Sequence, residues 1–169
     1  MNKRILFCIE SKASADIDYK YINATIEHFY KDEQSITRRK EYLNSKTRYN
    51  DSAVQKKIKE FNKYSNGNSH IVYCIDVDDY STSPERKDLL DRIIEFCRNN
   101  GYDLILFCRD IEEVYWGKRV QDNEKKAMSI RFVNTKRIIS VSELKLRKTG
   151  FERKSSNILN VLDKYFTRR

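Results

Sequence analysis

Three short, almost continuous apolar runs, each followed by acidic residues, constrain the fold of this chain more than any other feature. They are Arg4 to Ile9, Ile71 to Ile75 and Leu104 to Cys108. Runs of this length and character are typical of strands buried on both faces of a parallel sheet. Between them the apolar residues recur at helical spacing; Ser83-Pro84 opens one such stretch and Asn100-Gly101 closes it. The alternation predicts an α/β domain with a mainly parallel sheet flanked by helices.

Weaker patterns predict the remaining elements. They are a helix from Ser14 or Asp16 to about Tyr30, a polar strand over Ile36 to Leu43, a helix beginning at Asn50, Asp51 or Ser52, a helix beginning over Ile111 to Trp116, and a last amphipathic helix capped by Ser155 or Ser156. The basic stretch 120–150 carries only short hydrophobic fragments, so its structure is harder to predict.

The charge of the chain is divided unevenly along its length. The formal net charge is +9, yet residues 1–113 carry 19 basic and 20 acidic side chains. Residues 114–169 carry 15 basic and five acidic side chains, so the whole excess of positive charge lies there. We therefore expect a core over residues 1–117 and a basic C-terminal extension over 118–169, packed together as one compact domain. A basic flank of this kind favours a polyanionic partner such as nucleic acid, although a solvated basic surface fits the same counts.

Several classes of protein are disfavoured by what the sequence lacks. The four cysteines are scattered without a C-x-x-C pair, and only two histidines are present, which argues against a disulfide framework or a zinc site. The glycine-rich patterns G-x-x-x-x-G-K and G-x-G-x-x-G, which bind nucleotide phosphates, do not occur. No apolar stretch is long enough to cross a bilayer, and the N-terminal residues lack a signal-peptide pattern. These features predict a cytoplasmic protein without membrane contact.

The acids after the three apolar runs form the strongest functional pattern. Ligands of parallel α/β sheets bind outside the carboxyl ends of the strands, where these acids fall. They are Glu10 after the first run, Asp76 and Asp78 after the second, and Asp110, Glu112 and Glu113 after the third. We expect Asp76 and Asp78 to share one side of an extended strand tip. Carboxylates this close require a proton or a cation between them, and oxygen ligands favour Mg²⁺ or Mn²⁺. The simpler alternative is that acids such as Asp79 or Asp110 only cap helices.

The same residues carry a family resemblance that extends over most of the chain. A hydrophobic strand ending at Glu10, followed later by a strand ending in Asp76-x-Asp78, resembles the TOPRIM signature of topoisomerases, primases and OLD-type nucleases. The segment IVYCIDVDDY is similar to the D-x-D-D segment of small RloB-like TOPRIM proteins. RDIEEVYW and SSNILNVLDKY resemble their third motif and their C-terminal helix. The implied fold is a TOPRIM-like, Rossmann-like sheet.

The chain departs from the family pattern at two places. Ser11 stands where TOPRIM proteins usually have glycine after the first glutamate, and the Asn-Pro before the third motif is missing. Either Glu112 or Glu113 can take the acidic position of that motif. Glu113 is preferred, because it leaves an order closer to that of the family, with an aromatic residue two positions after the glutamate.

The resemblance implies a metal-dependent nuclease that hydrolyses phosphodiester bonds in DNA or RNA, tRNA included. In that mechanism Asp76 and Asp78 hold Mg²⁺ or Mn²⁺, and Glu10 is a ligand or the general base. Glu113 completes the shell of carboxylates. Lys12 stabilises charge on the reacting phosphate, or is simply solvated.

The partners follow partly from charge and partly from the resemblance. The basic flank would hold phosphates without reading sequence. Its residues are Lys118, Arg119, Lys125, Lys126, Arg131, Lys136, Arg137, Lys145, Arg147 and Lys148. Tyr115 and Trp116 would stack on an unpaired base or, more commonly for such aromatics, pack in the core. The resemblance also implies bacterial antiphage defence and an ATPase partner, while a homo-oligomer stays open.

Two other functions compete with this one. Ile9-Glu10-Ser11-Lys12 fits half of the PD-(D/E)xK nuclease motif, but the aspartate of that motif normally precedes it, whereas Asp76 follows. The second alternative is a non-catalytic basic α/β adaptor that binds nucleic acid or a partner protein, with the acids serving as helix caps.

Overall fold

A five-stranded sheet with helices on both faces forms the framework of the protein. The computed structural model describes residues 2–169, so Met1, the first residue of the predicted core, lies outside the described part. The strands are β1 (Lys3–Ile9), β2 (Ile36–Tyr42), β3 (Ser69–Asp76), β4 (Asp103–Cys108) and β5 (Ser155–Ser156). The helices are α1 (Ile17–Phe29), α2 (Ser52–Lys63), α3 (Pro84–Asn100), α4 (Ile111–Trp116), α5 (Lys125–Asn134) and α6 (Ile158–Leu162).

The sheet is mainly parallel, and its order brings the acidic strand ends together. The strands lie in the order β2-β1-β3-β4-β5, and the first four are parallel while β5 is antiparallel to β4. The α/β architecture predicted from the alternating runs is confirmed. Because β1 and β3 are hydrogen-bonded neighbours, the carboxyl ends that precede Glu10 and contain Asp76 meet at one edge of the sheet.

Alternate residues of the strands supply two hydrophobic cores. In β1, Ile5, Phe7 and Ile9 face a core built with α1, α4, α5 and α6, while Leu6 and Cys8 face a core built with α2 and α3. This alternation explains why the run is apolar at every position, since both faces of the strand are covered.

Residues 118–169 belong to the first of these cores rather than standing apart from it. Phe132 on α5 and Leu146 in the segment before β5 are both completely buried there, as is Leu159 on α6. Helix α5 packs directly against α1. The last third of the chain is therefore needed to cover one face of the sheet.

Local capping chemistry sets several helix boundaries. The side chain of Ser83 accepts a hydrogen bond of 3.4 Å from the amide of Arg86, with Pro84 in the first turn of α3. Gly101 ends that helix with a φ of 68°. Asp16 precedes α1 but makes no side-chain cap; its carboxylate instead pairs with Lys40 at 3.0 Å.

The C-terminal segment differs from the sequence prediction. Ser155 and Ser156 pair as β5 with Cys108 and Phe107 of β4. Ser156 also accepts a hydrogen bond of 3.2 Å from the amide of Ile158, the first residue of the next helix, so part of the predicted capping is present. The helix that follows, α6, is only five residues long. Asn157 between them donates to the carbonyl of Leu104 at 2.9 Å and accepts from the amide of Leu106 at 2.8 Å. These two bonds satisfy backbone groups of β4 that a full partner strand would otherwise take.

All four cysteines, Cys8, Cys74, Cys97 and Cys108, are free and buried, as expected from their places in apolar surroundings. Within residues 2–169, no helix has the length and apolar character required to cross a membrane.

Candidate active site

Glu10 and Asp76 meet at the carboxyl edge of the sheet. The backbone amide of Asp76 donates a hydrogen bond of 2.9 Å to Oε2 of Glu10, across 66 positions of sequence. Oδ1 of Asp76 in turn accepts a bond of 3.0 Å from the amide of Ile111, the first residue of α4. Both carboxylates are partly buried. The hydrogen bonds described for residues 2–169 engage one oxygen of each, leaving Oε1 of Glu10 and Oδ2 of Asp76 available.

Asp78 lies beyond the end of β3 and is held differently from Asp76. Its φ of 53° is in the left-handed region, so the expectation of an extended strand tip through Asp78 is wrong. Its carboxylate pairs with the ammonium group of Lys46, which also donates to the carbonyl oxygen of Asp76 at 2.8 Å. Lys46 follows β2, the strand on the far side of β1, and reaches across the edge. No pattern in the sequence marks Lys46 as part of a site.

The acids after β4 divide into a cap and two buried carboxylates. Asp110 caps α4, because its Oδ1 accepts a bond of 2.8 Å from the amide of Glu113. This is the capping role that was left open from the sequence. Glu112 and Glu113 are 1% and 2% exposed, so each needs a positively charged partner.

Glu112 faces the acidic edge of the sheet and shares one lysine with its neighbours. The ammonium group of Lys125 lies 3.4 Å from Oε2 of Glu112, 3.9 Å from Oδ2 of Asp110 and 3.6 Å from Oδ1 of Asp122. The contact with Glu112 is close enough for an ion pair but lacks hydrogen-bond geometry, and Oε2 accepts no hydrogen bond within the described residues.

Glu113, which the resemblance favoured as the third acid, is engaged elsewhere. Arg153 donates to its Oε1 at 2.7 Å, and Nε of Arg109 lies 3.3 Å from its Oε2. Arg109 is itself largely buried and also lies 3.5 Å from Asp79. These contacts tie α4 to the loop before β5 and engage both carboxylate oxygens of Glu113.

Asp18, in the first turn of α1, is a further member of the cluster that the sequence analysis missed. Burial raises its pKa well above the usual range, and the charges of Glu112 and Glu10 raise it further. The available signal was positional: α1 follows β1, so its first turn lies at the same edge of the sheet as Glu10. Without the fold, Asp18 reads as an ordinary acid near a helix start.

The pKa values show that negative charge in this cluster is only partly compensated. Burial raises the pKa of Glu10 to about 7, against the opposing charge of Lys46. Burial and the charges of Glu10 and Asp18 raise the pKa of Asp76 well above its usual range. Burial also raises the pKa of Glu112, although Lys125 lowers it. Burial alone would lower the pKa of Lys125, but Glu112 and Asp110 more than offset this and keep it charged.

The carboxylates of this cluster are the ligand type that hard cations prefer. They do not, however, converge closely enough to surround a single ion. Within residues 2–169, no three His, Cys, Asp or Glu side chains are grouped closely enough to hold a metal ion. The ammonium groups of Lys46 and Lys125 lie among the acids instead. Oxygen ligands, unused oxygens on Glu10 and Asp76, and uncompensated charge are all features that Mg²⁺ or Mn²⁺ would satisfy.

A cleft of about 320 Å³ opens beside this cluster and contains charges of both signs. Its charged lining residues are Asp78, Asp79, Asp110, Asp122, Arg86, Arg109, Arg119 and Lys125. A phosphodiester backbone in this cleft would meet cations next to the carboxylates.

The predicted basic flank falls into groups with different surroundings. Arg119 and Lys125 line the cleft. Arg147 pairs with Asp163 at 2.8 Å, and Lys148 pairs with Glu152 at 3.3 Å. Among residues 2–169, no acid lies within ion-pair distance of the others, which are exposed: Lys118, Lys126, Arg131, Lys136, Arg137 and Lys145.

The two aromatics weighed for base stacking are part of the interior. The hydroxyl of Tyr115 lies 2.6 Å from Oγ1 of Thr25, and the indole nitrogen of Trp116 donates to the hydroxyl of Tyr21 at 3.1 Å. Both rings are at least nine-tenths buried. Lys12, by contrast, is exposed in the loop after Glu10.

Ser11, in the place of the family's glycine, is not among the described residues with positive φ, so the turn after Glu10 does not require glycine.

Comparison with protein-family models, with curated proteins and with solved structures finds no match to this chain.

Proposed function

We propose that this protein is a TOPRIM-type, Mg²⁺- or Mn²⁺-dependent nuclease that hydrolyses phosphodiester bonds in nucleic acid. The single observation that carries the proposal is the hydrogen bond between the amide of Asp76 and Oε2 of Glu10. It joins the acids of the two motifs on which the TOPRIM resemblance rests.

Glu10 and Asp76 would hold the divalent cation, with Asp78 beside them. When bound, the ion would neutralise negative charge that develops on the phosphate oxygens during hydrolysis. The carboxylates of Glu10, Asp18 and Asp76 repel one another in the absence of a cation. A bound divalent ion would relieve this repulsion, which favours ion binding.

As an alternative to the ligand role, Glu10 is the general base, and Asp76 and Asp78 then hold the cation. Its Oε2 is occupied by the amide of Asp76, so Oε1 is the atom that accepts a proton from the attacking water. A pKa of about 7 lets the carboxylate take up that proton near neutral pH. The water oxygen then forms a bond to phosphorus, the ester oxygen leaves, and solvent protonates the leaving oxygen.

The cations around the cleft would position the backbone of the substrate. Arg86, Arg119 and Lys125 line it beside the carboxylates, and the unpaired cations beyond Gly117 extend the positive surface. Contacts of this kind bind phosphates without reading bases. Glu113 and the paired Arg147 and Lys148 act in the fold, and the exposed Lys12 is left to contact the substrate from the loop after Glu10.

The biological setting follows from the TOPRIM resemblance. The resemblance supports a role in bacterial antiphage defence, in the cytoplasm, with an ATPase as a candidate partner that restrains or delivers the nuclease.

A cleavage assay tests the function directly. Purified protein is incubated with a mixture of single- and double-stranded DNA, tRNA and other RNA, in Mg²⁺, in Mn²⁺ and in EDTA. We expect cleavage of at least one substrate with either metal, none in EDTA, and a loss of at least 100-fold in Asp76→Asn/Asp78→Asn. Asp88→Asn/Asp91→Asn, which removes two exposed acids of α3, is the matched control and should cut like the wild type.

The same variants distinguish the nuclease from a basic adaptor. An adaptor would bind nucleic acid equally well with and without the two aspartates and would cut nothing under any condition. Cleavage that survives in Asp76→Asn/Asp78→Asn would show that the reaction occurs elsewhere.

A further inference from the structure

The position of Lys125 relative to Glu112 distinguishes two halves of the acidic cluster. Lys125 is the first residue of α5, and Phe132 on the same helix is completely buried against α1 and α4. The lysine is therefore tethered at the edge of the site by a fixed helix. Its ammonium group lies within 4.0 Å of Glu112, Asp110 and Asp122, while Lys46 serves Asp78 on the other side.

Glu112 supplies the evidence that this half of the cluster is built for a cation. Its side chain is about 98% buried, and its Oε2 accepts no hydrogen bond within residues 2–169. A buried carboxylate oxygen without a donor is costly unless a positive charge lies against it. The ammonium group at 3.4 Å supplies that charge without forming a directed bond.

We propose that Lys125 is a built-in counterion that takes the place of a second divalent ion, so that the site binds one such ion, on Glu10 and Asp76. This rests on the proposed function, because it concerns the same carboxylates. A divalent ion and an ammonium group would repel each other if both approached Glu112 and Asp110. The oxygens of Glu112 remain suited to a metal, and removal of Lys125 would release them to bind one.

The number of bound ions gives the most direct test, and it does not depend on activity. Isothermal titration calorimetry with Mn²⁺ alone should give one ion per chain for the wild type. Lys125→Met, which keeps the length of the side chain but removes its charge, should bind two. Lys126→Met, on the exposed side of the same helix, is the matched control and should bind one, as should Lys125→Arg.

Thermal unfolding supplies a second readout of the same proposal. Without metal, Lys125→Met should melt at a lower temperature than the wild type, because Glu112 and Asp110 lose their counterion. Excess Mn²⁺ should raise its melting temperature by more than it raises that of the wild type, since two ions stabilise the folded state instead of one. The double variant Lys125→Met/Glu112→Gln should return to one bound ion.

Glu112→Gln alone keeps the proposal testable if Lys125→Met does not fold. It should still bind one Mn²⁺, with a Kd raised by no more than about tenfold, since the ion does not contact Glu112 but meets the less compensated charge of Lys125. The proposal would be overturned by any of three results. They are loss of Mn²⁺ binding by Glu112→Gln, two ions bound by the wild type, and a single ion bound with unchanged affinity by Lys125→Met. The proposed function fails separately, if the wild type binds no Mn²⁺ or if Asp76→Asn/Asp78→Asn binds it equally well.

Discussion

The backbone amide of Asp76 donates a 2.9 Å hydrogen bond to Oε2 of Glu10, which fixes the ends of two neighbouring parallel strands against each other. The bond orients the side chain of Glu10 and leaves its second carboxylate oxygen available. It also brings Glu10 close to the carboxylate of Asp76, and the two negative charges repel each other. The strand pairing is thus coupled directly to the electrostatics of the proposed active site, and changes in either are expected to affect the other.

The raised pKa of Glu10 predicts opposite effects of pH on stability and on activity. Burial raises the pKa from 4.5 to about 7, so between these values the folded state holds a proton that the unfolded state releases. Stability should therefore fall as pH rises through this window, and Glu10→Gln should make that fall less steep in urea titrations. Cleavage needs the deprotonated form, and a cation bound beside Glu10 lowers its pKa, so kcat/KM should rise with pH to a plateau reached below about 7.

Glu33 provides a control of opposite sign for the stability measurement. The amide of Thr167 donates to its carboxylate and lowers its pKa. The contribution of Glu33 to stability is present above its unfolded pKa and is lost as pH falls through its lower folded pKa. Glu33→Gln should therefore leave unchanged the fall in unfolding free energy that Glu10 causes as pH rises towards 7. Identical pH slopes for Glu10→Gln and the wild type would contradict the burial of the Glu10 charge.

Glu113 should matter for folding and not for metal binding. Glu113→Gln weakens a buried ion pair with Arg109 and a hydrogen bond from Arg153, and should lower the free energy of unfolding by about 2 kcal/mol. The affinity for Mn²⁺ should stay within about threefold of the wild type, because the carboxylate is engaged away from Asp76. Urea unfolding and calorimetry measure the two effects.

Glu152→Gln is the comparison for this variant, since it breaks an exposed pair with Lys148 and should change stability by less than about 0.5 kcal/mol. Loss of Mn²⁺ binding by Glu113→Gln, with an unchanged unfolding curve, would restore Glu113 to the position that the resemblance favoured.

The unpaired cations of the basic flank should dominate the salt dependence of nucleic-acid binding. Alanine in place of Lys126, Arg131, Lys136 and Arg137 should reduce the slope of log K against log salt by about three to four, if each neutralises one phosphate. Fluorescence anisotropy with a labelled strand measures this slope. Arg147→Ala/Lys148→Ala should change it little, because these side chains already pair with Asp163 and Glu152. A slope that responds only to Arg147→Ala/Lys148→Ala would locate the nucleic-acid interface around these two residues instead.

Asn157 should contribute more to stability than its polar side chain suggests. It bonds the carbonyl of Leu104 and the amide of Leu106, so Asn157→Ala leaves two groups of β4 without these partners. We expect a loss of about 2 kcal/mol in the free energy of unfolding. Asn123→Ala, at an exposed position before α5, should be nearly neutral. Similar unfolding curves for the two variants would show that water replaces Asn157 at no cost.

The three central strands β1, β3 and β4 were predictable from the sequence because they are covered on both faces. Runs such as Ile71 to Ile75 have no polar position that would make them ambiguous, and Ser83-Pro84 marks the start of α3 by ordinary capping chemistry. Glu10 and Asp76 were predictable for the same reason, since parallel strands bring their carboxyl ends to one edge.

The rest of the site depends on contacts that no local pattern encodes. Lys46 and Lys125 reach the acidic cluster from segments distant in sequence from Glu10 and Asp76. In the sequence alone, neither can be distinguished from an ordinary surface lysine. Asp78 leaves the strand direction because its backbone turns into the left-handed region. Helix α5 was missed because its exposed Ile130 and Val133 obscure the inward spacing of Ser129 and Phe132.

The four buried cysteines, three on strands of the sheet and Cys97 on α3, can report local opening of the fold. Burial raises the pKa of Cys97 to about 12 and that of Cys108 to about 11, and it raises the pKa values of Cys8 and Cys74 as well. Thiolate is therefore scarce in the folded protein, and a maleimide or disulfide reagent reacts only when the element that buries the thiol opens. The labelling rates of Cys8, Cys74 and Cys108 then measure how often β1, β3 and β4 open, and that of Cys97 measures the opening of α3.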